Sequence, residues 1–136
     1  MSDAVRLALA NARTIAVVGA SANPARPSHG VLRYLVGAGY DCVAINPGHA
    51  GGTILDRPCY ARLADVPGVI DMVDVFRRSE AIPAIVGDML TLDPLPKTLW
   101  LQLDIRHAGA EARARAAGVA VIADRCTAVE HRRLAA

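Results

Sequence analysis

The feature that most constrains the fold is the alternation of short apolar runs with segments of helical periodicity. Five runs rich in β-branched and other apolar residues stand at 14–18, 41–45, 69–76, 99–103 and 119–123. Between them, apolar residues recur every three or four positions, which is typical of amphipathic helices. Alternating strands and helices predict a parallel sheet with helices on both faces and right-handed crossovers. We therefore predict an α/β, Rossmann-like three-layer sandwich whose five-stranded parallel sheet has the order 3-2-1-4-5.

The length of the chain, 136 residues, fits one domain that can bury its own core without disulfides. We predict a single domain over 1–136, with an N-terminal helix at 1–12, a core at 13–124 and a short C-terminal tail at 125–136. The segment 51–68 is interpreted as a connection containing a short turn of helix.

Charge and composition exclude several classes of function. The net charge of +2, without a basic tract, argues against nucleic acid as a partner. No apolar stretch reaches the roughly 18 residues that a membrane span requires, and the N-terminus does not resemble a signal peptide. The three cysteines lack a metal-ligand spacing, so we expect reduced thiols in a cytoplasmic protein without a metal site.

Ligands of open parallel sheets bind at the carboxyl ends of the strands, where the strand order reverses beside the first strand. This rule nominates the segments that follow Val18, Ile45, Val75 and Leu101.

The segment after the first strand, GASANPARPSHG at 19–30, has the composition of a phosphate-binding turn. A glycine permits a sharp bend, and small side chains let the backbone approach a ligand. Exposed N–H groups of the loop and of the following helix, expected to begin near Gly30, suit an anion, and an arginine adds a planar cation. The candidate contacts are Gly19, Ala20, Ser21, Arg26, Ser28 and Gly30.

This loop departs from the dinucleotide fingerprint Gly-x-Gly-x-x-Gly, because Ser21 stands where a second glycine is expected. The second strand also ends at Asn46 and Pro47, without the carboxylate that binds the ribose hydroxyls of NAD. Both departures disfavour NAD without excluding it.

Five blocks of the sequence match a known family. They are IAVVGASANPARPSHGV (15–31), AINPG (44–48), DMVDVFRR (71–78), LWLQLDIR (99–106) and DRCTAVEH (124–131). The chain resembles the coenzyme A-binding domain family, the small stand-alone relatives of the N-terminal domain of the succinyl-CoA synthetase α subunit. The resemblance extends over nearly the whole chain and implies that the cofactor is coenzyme A.

The resemblance also implies roles for individual residues. It implies that the pyrophosphate is held by Gly19, Ala20, Ser21 and the stretch Pro24 to Gly30, with Arg26 as the charged contact. It implies that Asn46 and Pro47 border the adenosine end, that Val75, Phe76 and Arg77 close the site from the third strand, and that Gln102 lies near the pantetheine path. The synthetase has a lysine where this chain has His49, so the 3′-phosphate contact is left open among His49, Arg57 and Arg78.

No catalytic residues are expected. The four histidines show no spacing to a cysteine or carboxylate that suggests a triad, and we interpret them as surface residues. Cys126 is interpreted as a small residue at the edge of the core, with a mixed disulfide as the alternative. The prediction is a coenzyme A-binding module, with a partner enzyme subunit or a second copy as possible partners. An NAD(P)-dependent oxidoreductase, a nucleotide-sensing domain and an interaction domain with a vestigial site are the alternatives.

Overall fold

The computed structural model of the protein describes residues 3–135. The helices are α1 Asp3–Asn11, α2 Pro27–Gly37, α3 Ile82–Met89, α4 Ala108–Ala116 and α5 Thr127–Ala135. The strands are β1 Thr14–Val18, β2 Asp41–Ile45, β3 Thr53–Ile54, β4 Arg57–Tyr60, β5 Met72–Val75, β6 Thr98–Leu101 and β7 Ala120–Ile122. Short 3-10 turns lie at Pro47–His49, Leu63–Asp65 and Ser79–Ala81.

The sheet confirms the α/β, Rossmann-like class but corrects its details. It has seven strands in the order β3-β4-β2-β1-β5-β6-β7, and every pairing is parallel except that of β3 with β4. The predicted count of five and the order 3-2-1-4-5 are therefore wrong. In the numbering of the five predicted strands, the observed order is 2-1-3-4-5.

The segment interpreted as a connection explains this difference. It folds into β3 and β4, and β4 pairs with the free edge of β2 through Tyr60 and Ile45. The strand predicted at 69–76 therefore lies on the other side of β1, where Phe76 N donates to the carbonyl oxygen of Val18 at 2.8 Å. In this order, the crevice at which the connections change direction lies between β1 and β5.

Helix α2 begins earlier than the sequence analysis expected. Its N-cap residue, Arg26, is extended (φ −83°, ψ 137°), and Pro27 follows at the first helical position. Proline suits that position because its φ is already helical and its missing N–H has no partner there in any helix. Ser28 and His29 are consequently inside the helix and buried, not in the loop before it.

Each face of the sheet packs against its own set of helices. One core cluster joins alternate strand residues to Ile82, Val86 and Met89 of α3 and to residues of α4. The other joins the opposite residues of the same strands to α1 and α2, with Leu32 and Leu35 fully buried. Because side chains alternate along a strand, β5 sends Val73 and Val75 into the first cluster and Met72 into the second.

Residues 127–135, predicted as part of a tail, form helix α5, which packs beside α1 and α2. None of the helices between residues 3 and 135 has the length and apolarity that crossing a bilayer requires.

Candidate functional site

A cavity of about 1400 Å³ opens at the carboxyl edge of the sheet. Its walls come from the segments that follow β1, β2, β4, β5 and β6, together with the first turn of α2 and one side of α3. Of the residues predicted from sequence, it brings together Gly19, Ala20, Ser21, Arg26, Ser28, Asn46, Pro47, Phe76, Arg77 and Gln102. Pro24, Gly30 and Val75 do not line it. Pro24 and Gly30 are exposed elsewhere, and Val75 is buried within the sheet.

The bend after β1 requires a glycine for a reason internal to the protein. Gly19 has a φ of +84°, and a Cβ atom there would lie 2.5 Å from the carbonyl oxygen of Phe76. The end of β5 therefore passes so close to the bend that no side chain fits between them. The same close approach places Phe76 and Arg77 beside the bend, in the wall of the same cavity.

Polar side chains hold the bend in a fixed shape. The Asn46 amide donates to the carbonyl oxygen of Ala20 at 2.9 Å, while its own oxygen accepts from Gly48 N at 2.8 Å. His29 lies beneath the bend, and its Nδ1 is 2.9 Å from the carbonyl oxygen of Ser21. Arg33 contacts the other ring nitrogen of His29 at 3.3 Å. Since arginine only donates, Nε2 is the acceptor, and the ring proton on Nδ1 is donated to Ser21.

These contacts leave donors of the bend available to a ligand. Within residues 3–135, the backbone N–H groups of Ala20 and Ser21 have no hydrogen-bond acceptor. The hydroxyl of Ser28, in the first turn of α2, likewise has no partner among the described side chains, although the residue is only 3% exposed. Free amides next to a helix N-terminus form a favourable environment for an anion.

Four arginines line the cavity: Arg26, Arg62, Arg77 and Arg78. Arg26, Arg77 and Arg78 form no ion pair with any described residue. Arg62 contacts the exposed Asp65 at 3.2 Å. Three carboxylates also line the cavity, but that of Asp88 is engaged by the backbone N–H groups at the start of the 63–65 turn. Arginine forks without a carboxylate partner suit phosphate groups.

Sequence reasoning missed Arg62. It follows β4, which the sequence predicts as part of a connection, so no carboxyl end of a strand is expected there. The β4 sequence RPCY has no β-branched residue, and its arginine and proline are unusual in a strand. The side chain reaches the cavity because β4 runs parallel to β2 and ends at the same edge.

The three residues considered for a 3′-phosphate contact lie in different places. Arg78 lines the cavity. Arg57 lies in β4, where its Nε donates to the carbonyl oxygen of Cys42 at 2.6 Å and its Nη2 contacts Asp41. His49 is exposed in a 3-10 turn outside the lining. The geometry therefore favours Arg78.

Gln102 is held by a buried polar network. Its Nε2 donates to Asp74 Oδ1 at 2.5 Å and to Thr127 Oγ1 at 2.9 Å, and the Thr127 hydroxyl donates to Asp74 Oδ2 at 2.9 Å. Burial raises the pKa of Asp74 from 3.8 to about 7, although the hydrogen bonds from Gln102 and Thr127 oppose that rise. Sequence reasoning missed Asp74 because an aspartate inside an apolar strand gives no indication of its partners.

The interpretation of the histidines as surface residues is wrong for His29 and is confirmed for the exposed His49. His29 is buried beneath the bend, Nδ1 of His107 accepts from Ala110 N at the start of α4, and Nδ1 of His131 is 2.8 Å from the Tyr34 hydroxyl. Cys126 lines the cavity and is half-buried, while the other two cysteines are buried. Among the described residues, no cluster of three or more histidine, cysteine or acidic side chains is arranged to hold a metal ion.

Comparison with known proteins identifies the family. The family model described as "CoA binding domain" matches residues 13–132. The uncharacterized protein YneT of Bacillus subtilis is 34% identical over 123 residues, which cover 90% of this chain and 88% of that protein.

Solved structures agree with this. One from Thermus thermophilus is 41% identical with a TM-score of 0.92, covering 98% of this chain and 99% of the other. The dinucleotide-forming acetyl-coenzyme A synthetase 1 of Ca. Korarchaeum cryptofilum, in complex with phosphate and ADP, is 25% identical with a TM-score of 0.73. That match covers 90% of this chain but 27% of the synthetase. The family-model match and the 34% identity of YneT show that the chain belongs to the family of CoA binding domains.

Proposed function

We propose that the protein binds coenzyme A in the cavity at the carboxyl edge of the sheet and acts as a binding module without catalytic residues of its own. The observation that carries this proposal is the convergence, in a member of the CoA binding domain family, of free amides and unpaired arginines on one large cavity. The cavity, at about 1400 Å³, exceeds the roughly 300–1,000 Å³ of ordinary small-molecule pockets. An extended nucleotide with a long arm accounts for that size.

The donor set fits the anionic groups of coenzyme A. The amides of Ala20 and Ser21 and the side chain of Arg26 are proposed to hold the pyrophosphate. Arg77 and Arg78, which follow β5 beside the bend, are proposed to contact further phosphate oxygens, including the 3′-phosphate. Each charge-assisted hydrogen bond contributes roughly 1.5–3 kcal/mol.

The remaining lining residues are proposed to position the two ends of the cofactor. Asn46, Pro47 and Phe76 lie around the ends of β2, β1 and β5, where we propose that the adenosine binds. Gln102 lies at the end of β6, further along the same edge, where we propose that the pantetheine arm lies. The absence of a carboxylate after β2 favours coenzyme A over NAD, because Asn46 uses its amide to hold the bend.

Isothermal titration calorimetry with coenzyme A, dephospho-coenzyme A and NADH tests the proposal. We expect coenzyme A to bind more tightly than the other two. Arg26→Ala should weaken coenzyme A about tenfold or more, on the basis of one lost charge-assisted bond. It should leave stability unchanged, since the Arg26 side chain makes no capping bond.

Arg113→Ala is the matched control, because Arg113 lies on α4 outside the cavity and forms no ion pair with the described residues. The affinity of Arg113→Ala for coenzyme A should equal that of the unaltered protein. Tighter binding of NADH than of coenzyme A, or equal losses in both arginine variants, would contradict the proposal.

A further inference from the structure

Asp74 is a fully buried carboxylate that the proposed binding of coenzyme A does not use. It lies in the middle of the sheet, in register with Val17 of β1 on one side and Trp100 of β6 on the other. Its partners among the described residues are the neutral side chains of Gln102 and Thr127. A buried charge without a cationic partner is costly, so its hydrogen bonds must serve the fold or the site.

The hydrogen-bond count fixes the orientation of the Gln102 amide. A carboxylate only accepts, so the group that faces Asp74 Oδ1 must be the NH₂ of Gln102. The second N–H of that group is used by Thr127 Oγ1, whose own proton goes to Asp74 Oδ2. Both donors of Gln102 are therefore turned inward, away from the cavity.

The amide oxygen of Gln102 is consequently turned the other way. It accepts no hydrogen bond from residues 3–135, yet no buried side-chain nitrogen or oxygen of that part of the chain lacks a partner. The oxygen is therefore not closed off. Because the residue is only 5% exposed and lines the cavity, the space that the oxygen meets is the cavity itself.

We propose that Asp74 is a positioning residue that turns the carbonyl oxygen of Gln102 into the cavity as an acceptor for an amide N–H of the pantetheine arm. This assignment rests on the proposed binding of coenzyme A. Asp74 itself does not touch the ligand, and it acts through the orientation of one neutral side chain.

Protonation of Asp74 reverses the orientation. Because the Thr127 hydroxyl donates to Asp74 Oδ2, the acid proton belongs on Oδ1 and needs an acceptor there; the Gln102 amide supplies one by turning its oxygen inward and its NH₂ toward the cavity. With the pKa of Asp74 raised to about 7 by burial, the cavity wall presents an acceptor above pH 7 and a donor below it.

Few other groups interfere with this titration. Val17 and Trp100, which flank Asp74 in the sheet, carry no charge. The titratable neighbour on the next strand is Cys42 of β2, whose thiol pKa is raised to about 12 chiefly by burial. That thiol stays protonated between pH 6 and 8.

Nuclear magnetic resonance tests the coupling in the ligand-free protein. Gln102 is the only glutamine of the chain, so labelling with ¹⁵N-glutamine gives one side-chain NH₂ signal. We expect this signal to titrate with a midpoint near pH 7, and the titration to disappear in Asp74→Asn. Asp71→Asn is the matched control, since Asp71 precedes β5 and accepts from Arg13 N and Thr14 N at the opposite edge of the sheet. A Gln102 signal that does not titrate between pH 5.5 and 8.5 overturns the inference.

Calorimetry tests the consequence for binding. Asp74→Asn keeps the size of the side chain but removes the carboxylate that holds the Gln102 amide with its oxygen toward the cavity. At pH 8 we expect it to weaken coenzyme A about fivefold, as for one neutral hydrogen bond, and to leave ADP, which lacks the pantetheine arm, unchanged. At pH 6 the two proteins should bind coenzyme A alike.

The outcomes separate the two proposals. Equal losses for coenzyme A and ADP would show a general structural effect and overturn the positioning role. If the unaltered protein binds neither coenzyme A nor ADP, the proposed function is wrong. The role assigned to Asp74 is then wrong as well, whatever the titration of Gln102 shows. If Asp74→Asn does not fold, the unaltered protein decides: we expect its affinity for coenzyme A, relative to ADP, to be lower at pH 6 than at pH 8, and a ratio that is the same at both pH values overturns the inference.

Discussion

The burial of Asp74 predicts an unusual dependence of stability on pH. Its pKa is about 7 in the folded protein and 3.8 when the side chain is exposed. Between these values the folded protein holds a proton that the unfolded chain has lost. Stability therefore falls as the pH rises, by about 1.4 kcal/mol per pH unit. Two such units separate pH 5 from pH 7, so Asp74 should cost the folded state about 3 kcal/mol between pH 5 and pH 8.

The comparison with Asp74→Asn isolates this contribution. Other titrating groups are common to both proteins and cancel in the difference between them. The amide of the variant can cost stability at every pH, but it does not ionise. We therefore expect the free energy of unfolding of the variant, minus that of the unaltered protein, to be about 3 kcal/mol larger at pH 8 than at pH 5, so the variant gains relative stability as the pH rises.

Urea unfolding at pH 5, 6, 7 and 8 provides the measurement. Trp100 is the only tryptophan and is fully buried, so its fluorescence reports unfolding directly. Asp71→Asn is the control, because it removes a carboxylate that accepts from two backbone N–H groups at the other edge of the sheet and leaves Asp74 in place. A difference between Asp74→Asn and the unaltered protein that is the same at pH 5 and pH 8 would refute the reasoning.

Three further substitutions test the packing around the site. Gly19→Ala should lower the free energy of unfolding by at least about 2 kcal/mol, because of its positive φ and the overlap with the carbonyl oxygen of Phe76; the urea midpoint measures this. Gly30→Ala should instead raise stability by roughly 0.5–1 kcal/mol in the same assay, since it lies inside α2 with open space around it, and a loss would contradict the assigned helix. Trp100→Phe should lower the free energy of unfolding by about 2 kcal/mol, because it leaves the carbonyl oxygen of Arg125 without the 2.8 Å hydrogen bond from the indole. Thermal unfolding followed by circular dichroism measures this, and an unchanged melting temperature would contradict the assigned hydrogen bond.

The sequence was most informative where a signal is local. The apolar runs at 14–18 and 41–45 fold as predicted, because four or five consecutive apolar or β-branched residues bounded by turn residues suit a strand buried on both faces. The bend at Gly19 was likewise identified from its own residues. Ten of the thirteen predicted site residues line one cavity because a parallel sheet brings the carboxyl ends of its strands to a single edge.

The strand order depended on an interaction that no local pattern reveals. The β4 sequence RPCY has a proline and an arginine, and it becomes a strand only because it pairs with the edge of β2. That pairing moves β5 to the other side of β1, which in turn places Phe76 and Arg77 beside the bend and brings Arg62 to the cavity.

What the sequence by itself determined is the class of fold, the family and the edge of the sheet at which the cavity opens, since each follows from local patterns or from residues that match in order. Tertiary structure alone decided the partners of buried polar groups. Asp74, Gln102 and Thr127 lie far apart in the chain, and His29 reaches Ser21 only because α2 starts at Pro27. Hydrogen bonds between distant side chains depend on how strands and helices are ordered in space, and that order cannot be inferred from the type of each residue.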